Sequence, residues 1–438
     1  MSTPEPQTPS EIAQEIAEKA ESTPNGPPAT GKLPVKKVVL LSFGFFATSL
    51  AWSLYNAYVP LLLRGFITST TLIGLIMTFD NIAGVILQPI FGSLSDRTHT
   101  RLGRRMPYIA VGIPVCALVL ALVPHAKSLW LLIALLVVFC VVMATWRTPV
   151  VSLMPDITPG PQRSQANGIV NMLGGIGSLI AFVGGGFLLN LGGYPLPFLT
   201  SAIVMVLALV VLLVFVREPK QAYEPDAEKP KVRLTGKELK SLLLILGGVF
   251  FWFLGYNAVE TFFTMYATTT LKVAPGTAGM LLGVFSIAFL AFAIPAGFIG
   301  AKLGRRRTIL IGLAGVTLLF IPMAIMSNLV LTVICLFGGG FFWACVNINS
   351  LPMVVRLADD RTIGTFVGYY YFFSVGAQIV SPILAGFIID TSGTYRALFV
   401  YSCITFLVAL TLLLFVRHGE DNVPDASTPT DVLAGLDS

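Results

Sequence analysis

The chain has 438 residues, of which 55% are hydrophobic and only 11% charged, with a formal net charge of +6. Soluble domains carry about 25% charged residues, so the composition excludes an ordinary soluble protein and indicates a chain that crosses a membrane many times. The basic residues lie in short loops between apolar runs, so their excess does not indicate nucleic-acid binding.

Motifs of enzymes and cofactor-binding proteins are missing from the sequence. The five cysteines all lie in apolar segments, without the spacing of a disulfide framework or a metal site. The sequence contains no nucleophile elbow, Walker loop or dinucleotide fingerprint. We therefore expect no cofactor and no enzymatic activity.

The chain begins with a polar segment and continues with twelve apolar stretches. Residues 1–31 are rich in Pro, Thr, Ser and Glu and lack an apolar face, which predicts a disordered tail. Each apolar stretch is near the roughly 20 residues that a helix needs to cross a bilayer. The predicted spans are 38–63, 72–94, 107–126, 129–153, 165–190, 195–216, 241–267, 277–301, 307–326, 329–354, 363–389 and 395–416. The chain ends in an acidic segment, 419–438, which is predicted to be a second disordered tail.

The distribution of Lys and Arg predicts how the spans are oriented. With both termini in the cytoplasm, 23 of the 28 basic residues lie in cytoplasmic segments and four lie in external loops, while Arg147 lies within a span. Cytoplasmic loops of membrane proteins are enriched in these residues. We therefore expect a multi-pass protein of the plasma membrane with both termini in the cytoplasm.

The two halves of the chain repeat each other. Residues 219–240 form a polar linker that separates 32–218 from 241–418, so each half contains six spans. Short motifs recur after about 200 residues: Tyr55-Asn56-Ala57 and Tyr256-Asn257-Ala258, Gly74 and Gly279, Gly92 and Gly297, Leu102–Arg105 and Leu303–Arg306, Gly186-Phe187 and Gly386-Phe387. Two parallel repeats about an axis along the membrane normal are typical of one class of secondary transporters.

The loop after span 2, GSLSDRTHTRLGRR, resembles the cytoplasmic motif of the major facilitator superfamily, with four extra residues. The second half has a degenerate copy, GFIGAKLGRRR, in which Ala301 occupies the position of Asp96. The resemblance covers residues 32–418. It implies an all-α membrane protein with twelve transmembrane helices in two six-helix bundles, which transports a small molecule and is expected to be a monomer.

A narrower resemblance joins SDRTHTRLGRRMPY and PDITPGPQRSQANGI to proton-coupled disaccharide symporters of the sucrose and maltose type. This resemblance implies that the partners are a sugar and protons, in addition to the lipid bilayer. The plant sucrose transporters of this group carry an acid within span 4, whereas the only charged residue in span 4 of this chain is Arg147. The coupling residue of that family therefore cannot be assigned to span 4 here.

Three ionisable residues within the apolar spans are candidates for function, because such residues are expensive in lipid and face a cavity or a partner. Asp80 lies near the middle of span 2 and Glu260 lies in span 7. A carboxyl group can alternate between charged and neutral forms, so both are candidates for proton coupling. Arg147 in span 4 stays charged and can only pair or donate hydrogen bonds, so it is a substrate-binding candidate. Each could instead have a purely structural role.

Polar residues on spans 1, 7 and 10 complete the candidate binding site. In the major facilitator superfamily these spans and span 4 line the cavity, and amide and phenol groups suit a neutral ligand with many hydroxyls. The candidates are Tyr55, Asn56, Asn257, Asn347 and Asn349. Trp52, Trp252 and Trp343 could stack on a sugar or pack in the core, and Gln88 and Gln378 could hold helices together.

The loop motif supplies a candidate gate. The resemblance implies that Asp96 pairs with a helix end of the other half when the cytoplasmic side is closed. The residues assigned to this motif are Gly92, Asp96, Arg97, Gly103, Arg104 and Arg105. The arginines could also serve only to orient the chain in the membrane.

The sequence therefore predicts a secondary active transporter that imports a sugar, such as a disaccharide or related glycoside, with protons by alternating access. A sodium-coupled glycoside symporter is one alternative, although Gly84 and Gln88 stand where the melibiose-carrier type places paired acids. An exporter of drugs or metabolites is another, although span 5 lacks the Gly-Pro signature of many exporters.

Overall fold

The structure is a computed structural model that describes residues 35–158, 162–218, 236–358 and 362–416. Twelve of its helical segments are long and apolar enough to cross a membrane. They are α1 (Val35–Arg64), α2a (Thr70–Met77) with α2b (Phe79–Arg97), α3 (Met106–Leu122), α4 (Leu129–Ile157), α5a (Arg163–Leu179) with α5b (Gly185–Gly192), α6 (Pro195–Phe215), α7 (Gly236–Thr269), α8 (Pro275–Leu303), α9 (Arg305–Ile325), α10 (Leu329–Val355), α11 (Ile363–Ser392) and α12 (Ala397–Leu414).

These bounds extend the predicted spans at several ends. The helix α7 begins at Gly236, within the stretch predicted as the linker, because polar residues after Gly236 form its first turns before the apolar sequence begins. The predicted tails 1–31 and 419–438, and residues 219–235 of the linker, lie outside the described residues.

Two of the described helices in the first half, α2 and α5, are interrupted. The helix α2 changes from α2a to α2b at Thr78, whose hydroxyl donates to the carbonyl of Leu75. The helix α5 contains a π-helical turn over Ile180–Gly184. The hydroxyl of Tyr58 donates to the carbonyl of Phe182 within this turn, at 3.2 Å. Such interruptions frequently occur at functional sites.

The two halves have the same internal packing. In the first half α1 packs on α5a and α6, while α2b and α3 pack on α4. In the second half α7 packs on α11 and α12, while α8 and α9 pack on α10. Helices α1 to α6 of the first half therefore correspond in order to α7 to α12 of the second half, as the sequence repeats predict.

The helices end at two faces of the protein. We call the side that carries Arg97, Arg104, Arg105 and Arg305 the basic face, and the side that carries residues 65–69 and 270–274 the opposite face. Contacts between the halves are concentrated toward the opposite face, where α2a packs on α11 and α5b packs on α8. Toward the basic face, α2b and α5a make far fewer contacts with the other half. The structure is therefore closed at the opposite face and more loosely packed at the basic face.

Glycines allow this close approach at the opposite face. A Cβ atom at Gly276 would lie 2.0 Å from the carbonyl oxygen of Gly186, and one at Gly74 would lie 2.2 Å from that of Pro382. Helix backbones can approach this closely only where small residues meet. Gly74 and Gly186, which the sequence repeats singled out, therefore lie at the contact between the halves.

Side chains also join the halves at the opposite face. The Asp390 carboxylate, near the end of α11, accepts hydrogen bonds from the backbone N–H groups of Thr70 and Thr71, both at 2.8 Å. Asn190, near the end of α5b, accepts from the backbone N–H of Gly276 at 3.1 Å and donates to the hydroxyl of Thr277 at 3.3 Å. We call these two contacts the cross-half caps, because each caps the first turn of a helix in the other half.

Candidate functional site

A central cavity of about 190 Å³ lies between the two halves. Its walls come from α1, α2 and α4 of the first half and from α7 and α11 of the second. Most of the residues that line it are polar or charged. The full lining consists of Trp52, Asn56, Met77, Asp80, Asn81, Arg147, Asn257, Glu260, Thr261, Gln378 and Pro382. The cavity therefore brings together five of the candidate residues from the sequence, namely Asn56, Asp80, Arg147, Asn257 and Glu260.

The position of Asp80 follows from the interruption in α2. Asp80 lies in the first turn of α2b, where the backbone N–H groups have no partner within the helix and a carboxylate is favoured. One carboxylate oxygen accepts hydrogen bonds from the backbone N–H of Asn81 and from its side-chain amide, the latter at 2.8 Å. Discontinuous membrane helices with their termini at a central site are typical of ion and substrate sites in transporters.

Glu260 lines the central cavity from the second half. Its carboxylate accepts a hydrogen bond from the side-chain amide of Asn56, with an N···O distance of 3.3 Å. Asn257, the repeat counterpart of Asn56, instead donates to the carbonyl of Phe253 one turn earlier on its own helix, at 2.7 Å. The two related asparagines thus differ: Asn56 joins the halves and Asn257 does not.

Arg147 supplies the positive charge of the cavity. Its guanidinium lies 5.9 Å from the centre of the Trp52 ring, in a cation–π arrangement. Within the described residues, no ion pair of 4.0 Å or less joins Arg147 to Asp80. The indole N–H of Trp52 is buried and has no hydrogen-bond partner in the described part of the chain. The guanidinium and the indole N–H are therefore available as donors to a ligand.

A second, smaller cavity of about 30 Å³ also has Glu260 in its wall. Apart from Glu260 and Ser286, its lining is apolar or aromatic: Phe182, Tyr256, Val259, Leu282, Phe285, Val316, Phe320, Leu336, Trp343 and Phe406. The rings of Tyr256 and Trp343 are stacked, with centroids 4.3 Å apart and planes 2° from parallel. Glu260 therefore lies at the boundary between a polar cavity and an apolar one.

Three candidate residues from the sequence do not line the central cavity. Tyr55 is buried, with its ring stacked on Phe139 at 5.4 Å. Asn349 is buried between α10 and α8, where its amide donates to the carbonyl of Ala296 at 3.1 Å. Asn347 lies half-buried on α10, outside the residues that form the cavity. Tyr55 and Asn349 are thus used in packing within their own halves.

Sequence reasoning missed other residues of the central cavity. Asn81 supports Asp80, and its position directly after an acid in an apolar run is the signal that could have identified it. Gln378 lines the cavity from α11, although the sequence indicated only a role in holding helices together. Thr261 lines it beside Glu260.

The loop motif forms a charged cluster within the first half. Asp96 pairs with Arg105, whose side chain also contacts Asp156 at 3.1 Å. Arg104 pairs with Asp156 at 3.3 Å and lies 3.7 Å from Glu218, which also accepts from the backbone N–H of Arg105 at 2.9 Å. In this structure, therefore, the described partner of Asp96 lies in its own half.

Gly92, Gly103 and Arg97 complete the motif. The guanidinium of Arg105 donates to the carbonyl of Gly92 at 3.4 Å. Gly103 has a φ of +113°, and a Cβ atom there would lie 2.2 Å from the carboxylate of Glu218, so only glycine fits. Gly304, its repeat counterpart, also has a positive φ, of +89°. Arg97 is exposed at the end of α2b.

Comparison with known proteins identifies the family. The profile of the Major Facilitator Superfamily matches residues 41–272 and 245–434, that is, once in each half. This chain belongs to the Major Facilitator Superfamily. It is therefore a secondary membrane transporter that binds a small-molecule substrate, and not an enzyme. The predicted fold, with twelve helices in two repeated halves, is confirmed.

Individual relatives differ in what their names say they transport. A class H tetracycline resistance protein of Pasteurella multocida is 24% identical over 412 residues, which cover 90% of this chain and 100% of that protein. An isoprimeverose transporter of Lactiplantibacillus pentosus is 24% identical over 403 residues, which cover 85% of this chain and 76% of that protein.

Among solved structures, a bacterial homologue of the human lysosomal transporter Spinster, in an inward-facing and occupied conformation, has the same fold. It superposes with a TM-score of 0.71 and 16% identity, over 88% of this chain and 97% of that one.

Proposed function

We propose that this transporter imports a sugar, such as a disaccharide or related glycoside, together with protons. The observation that carries the proposal is the composition of the central cavity. Amide groups from both halves (Asn56, Asn81, Asn257 and Gln378) surround it together with Asp80 and Arg147. Amides donate and accept hydrogen bonds without imposing charge, which suits a ligand with many hydroxyls.

The positive-inside rule supports a cytoplasmic location for the basic face and for both termini. On that assignment, the structure has its external side closed and its cytoplasmic side more loosely packed, as expected after a substrate has crossed. The multi-pass chain would work as a monomer in the plasma membrane.

Asp80 is the proposed site of proton coupling. In its charged form it is stabilised by the first turn of α2b, by Asn81 and by the positive charge of Arg147 in the same cavity. Protonation removes the charge that these groups stabilise. A sugar bound between the halves then favours the states in which Asp80 is neutral, because a ligand shifts a conformational equilibrium by its difference in affinity for the two states.

Glu260 is the second candidate for coupling. It faces the cavity from the half opposite to Asp80 and contacts Asn56 across the interface. A change in its charge would alter a bond between the halves, whereas a change at Asp80 alters contacts within the first half. We assign proton coupling first to Asp80 because its carboxyl group lies at the start of a discontinuous helix in the central cavity, an arrangement typical of ion sites in transporters.

The similarity to an isoprimeverose transporter supports a sugar substrate. The similarity to a tetracycline resistance protein supports a drug as the substrate, and so the alternative of an exporter of drugs or metabolites. Sodium coupling would use the same carboxylates as a cation site. The experiment that follows separates these alternatives.

The test is uptake by the purified protein in liposomes, with an imposed pH gradient, an imposed sodium gradient or neither. A panel of sucrose, maltose, isoprimeverose and simple monosaccharides is offered, with tetracycline in a parallel series. Accumulation of a sugar driven by the pH gradient alone is the expected result. Failure of every sugar to accumulate would refute the proposal, and gradient-driven transport of tetracycline would favour an exporter.

A further inference from the structure

The boundary position of Glu260 has implications for the shape of the substrate. One side of Glu260 faces the polar central cavity, and the other faces the apolar cavity around Tyr256, Phe285 and Trp343. A single ligand that fills both spaces must be polar at one end and apolar at the other. The central cavity offers hydrogen bonds, whereas the second cavity offers mainly apolar and aromatic contact, since most of its lining residues are aliphatic or phenylalanine side chains.

The apolar cavity is also formed by both halves of the protein. Phe182 belongs to the π-helical turn of α5, whereas the other lining residues belong to the second half. A void within one packed bundle would keep its shape when the halves move. This cavity would change, because Phe182 moves with the first half, so its occupancy is tied to the transport cycle.

From this geometry we infer that the substrate is a glycoside with a short alkyl group, which enters the apolar cavity while the sugar hydroxyls bind in the central cavity. The inference rests on the proposed sugar function and names the class of sugar. A cavity of about 30 Å³ is much smaller than the about 150 Å³ that accommodates a benzene ring, so only a short alkyl group can enter it. The alkyl group is therefore short.

The test is inhibition of sugar uptake in liposomes by a series of glycosides of that sugar, with methyl, ethyl, propyl, butyl and hexyl groups. Each added methylene that is buried should improve inhibition about fourfold among the shortest glycosides. Inhibition should then level off or weaken for the longer ones, with hexyl past the optimum, because the cavity is full.

A pair of variants localises the effect. Val316→Ile adds one carbon atom to the wall of the apolar cavity and should move the best chain length down by about one carbon. The matched control is Val170→Ile, at a buried valine of α5a that lines neither cavity. Equal inhibition by every glycoside, or the same optimum in both variants, would overturn the inference while leaving the sugar function intact. Absence of uptake for every parent sugar would instead contradict the proposed function.

A separate observation concerns the cross-half caps, which are related by the repeat. Asp390 and Asn190 are 200 positions apart, and the groups that they cap, at Thr71 and Gly276, are 205 apart. Asp390 accepts four hydrogen bonds, because the hydroxyls of Ser69 and Thr71 also donate to it, at 2.8 and 2.7 Å. Asn190 makes two.

The geometry points to the cross-half caps as the contacts that hold the opposite face closed, with Asp390 making the stronger of the two. A charged acceptor makes hydrogen bonds about twice as strong as a neutral one, and a carboxylate at a helix N-terminus is favoured by the helix dipole. Opening of this face must separate α2a from α11 and α5b from α8, so both caps must break in each transport cycle.

The test uses spin labels at Leu191→Cys and Val330→Cys, which are exposed, lie near the opposite face and belong to different halves. The native cysteines are all buried, so labelling is selective. In Asp390→Asn the population with a long distance between labels should rise about tenfold, because the charge-assisted bonds become ordinary ones. In Asn190→Asp this population should fall below that of the unaltered protein.

The matched control is Thr391→Ala, since the Thr391 hydroxyl bonds only to carbonyls of its own helix. It should leave the distance distribution unchanged. If Asp390→Asn and Thr391→Ala give the same distribution as the unaltered protein, the caps do not control this face. Asn190→Asp provides an independent result if Asp390→Asn folds poorly, and an unchanged population in that variant would also overturn the inference.

Discussion

Asn56 in the first half donates a hydrogen bond to Glu260 in the second half, with an N···O distance of 3.3 Å. This bond crosses the central cavity at residues that line it from both sides. It therefore depends both on the relative position of the halves and on what occupies the cavity.

We expect Asn56→Ala to weaken substrate binding by about fivefold, the value of one ordinary hydrogen bond of about 1 kcal/mol. Asn56→Asp should have a larger effect, because it places a second carboxyl group against Glu260. The measurement is the Kd of the substrate in detergent together with the KM of uptake. Asn257→Ala is the companion variant, since Asn257 lines the same cavity but bonds to Phe253 of its own helix, so this change removes a cavity amide without removing a contact between the halves. Unchanged binding in Asn56→Ala would show that the bond to Glu260 has no role in binding, whatever the effect of Asn257→Ala.

Asp80→Asn should abolish accumulation against a gradient while exchange of substrate between the two sides continues. The amide keeps the shape of the carboxyl group and can still contact Asn81, but it cannot take up and release a proton. The measurement compares uptake driven by a pH gradient with counterflow in liposomes that contain substrate.

If Asp80→Asn still concentrates substrate, the proton site lies elsewhere and Glu260→Gln is the next variant to test. Loss of accumulation in Glu260→Gln but not in Asp80→Asn would transfer the coupling role to the second half. Loss of both accumulation and counterflow in either variant would indicate a role in substrate binding.

Arg147→Lys should lower substrate affinity about tenfold or more, although the charge is nominally kept. The guanidinium is planar and lies over the Trp52 ring, and it offers several donors in a fixed geometry that an ammonium group does not reproduce. The measurement is the substrate Kd, with Trp52→Phe as the companion variant because it retains a ring but removes the unpartnered indole N–H. Unchanged affinity in Arg147→Lys would leave Arg147 with a structural role only.

The sequence was sufficient to predict the fold, and the reasons lie in particular residues. Bilayer thickness fixes the length of each span, and the repeated motifs correspond to shared backbone geometry, as at Gly103 and Gly304, which both have positive φ. Asp80, Glu260 and Arg147 were identifiable because ionisable groups in apolar helices need a polar environment.

Other features depend on three-dimensional detail that spacing does not reveal. Asn349 and Asn257 are chemically alike, but only Asn257 faces the central cavity, because Asn349 turns toward the carbonyl of Ala296. Asp390 looks like an ordinary acid at a helix end until α2a of the other half is placed against it. The interruption at Thr78 was likewise not predicted, since residues 72–94 have the length and the overall hydrophobicity of a single span.

Glu218→Gln should destabilise the folded protein by about 1–3 kcal/mol, the cost of weakening a buried charged hydrogen-bonding group. The side chain of Glu218 is only 2% exposed, and its carboxylate accepts from the backbone of Arg105 and lies near Arg104. Thermal unfolding of the purified protein in detergent is the measurement. Asp96→Asn is the matched control, because Asp96 is 55% exposed and water therefore weakens its pairing with Arg105, so the expected loss is less than about 1 kcal/mol. A larger loss of stability in Asp96→Asn than in Glu218→Gln would contradict this assignment and would place the more important contact of Arg105 at the end of α2b.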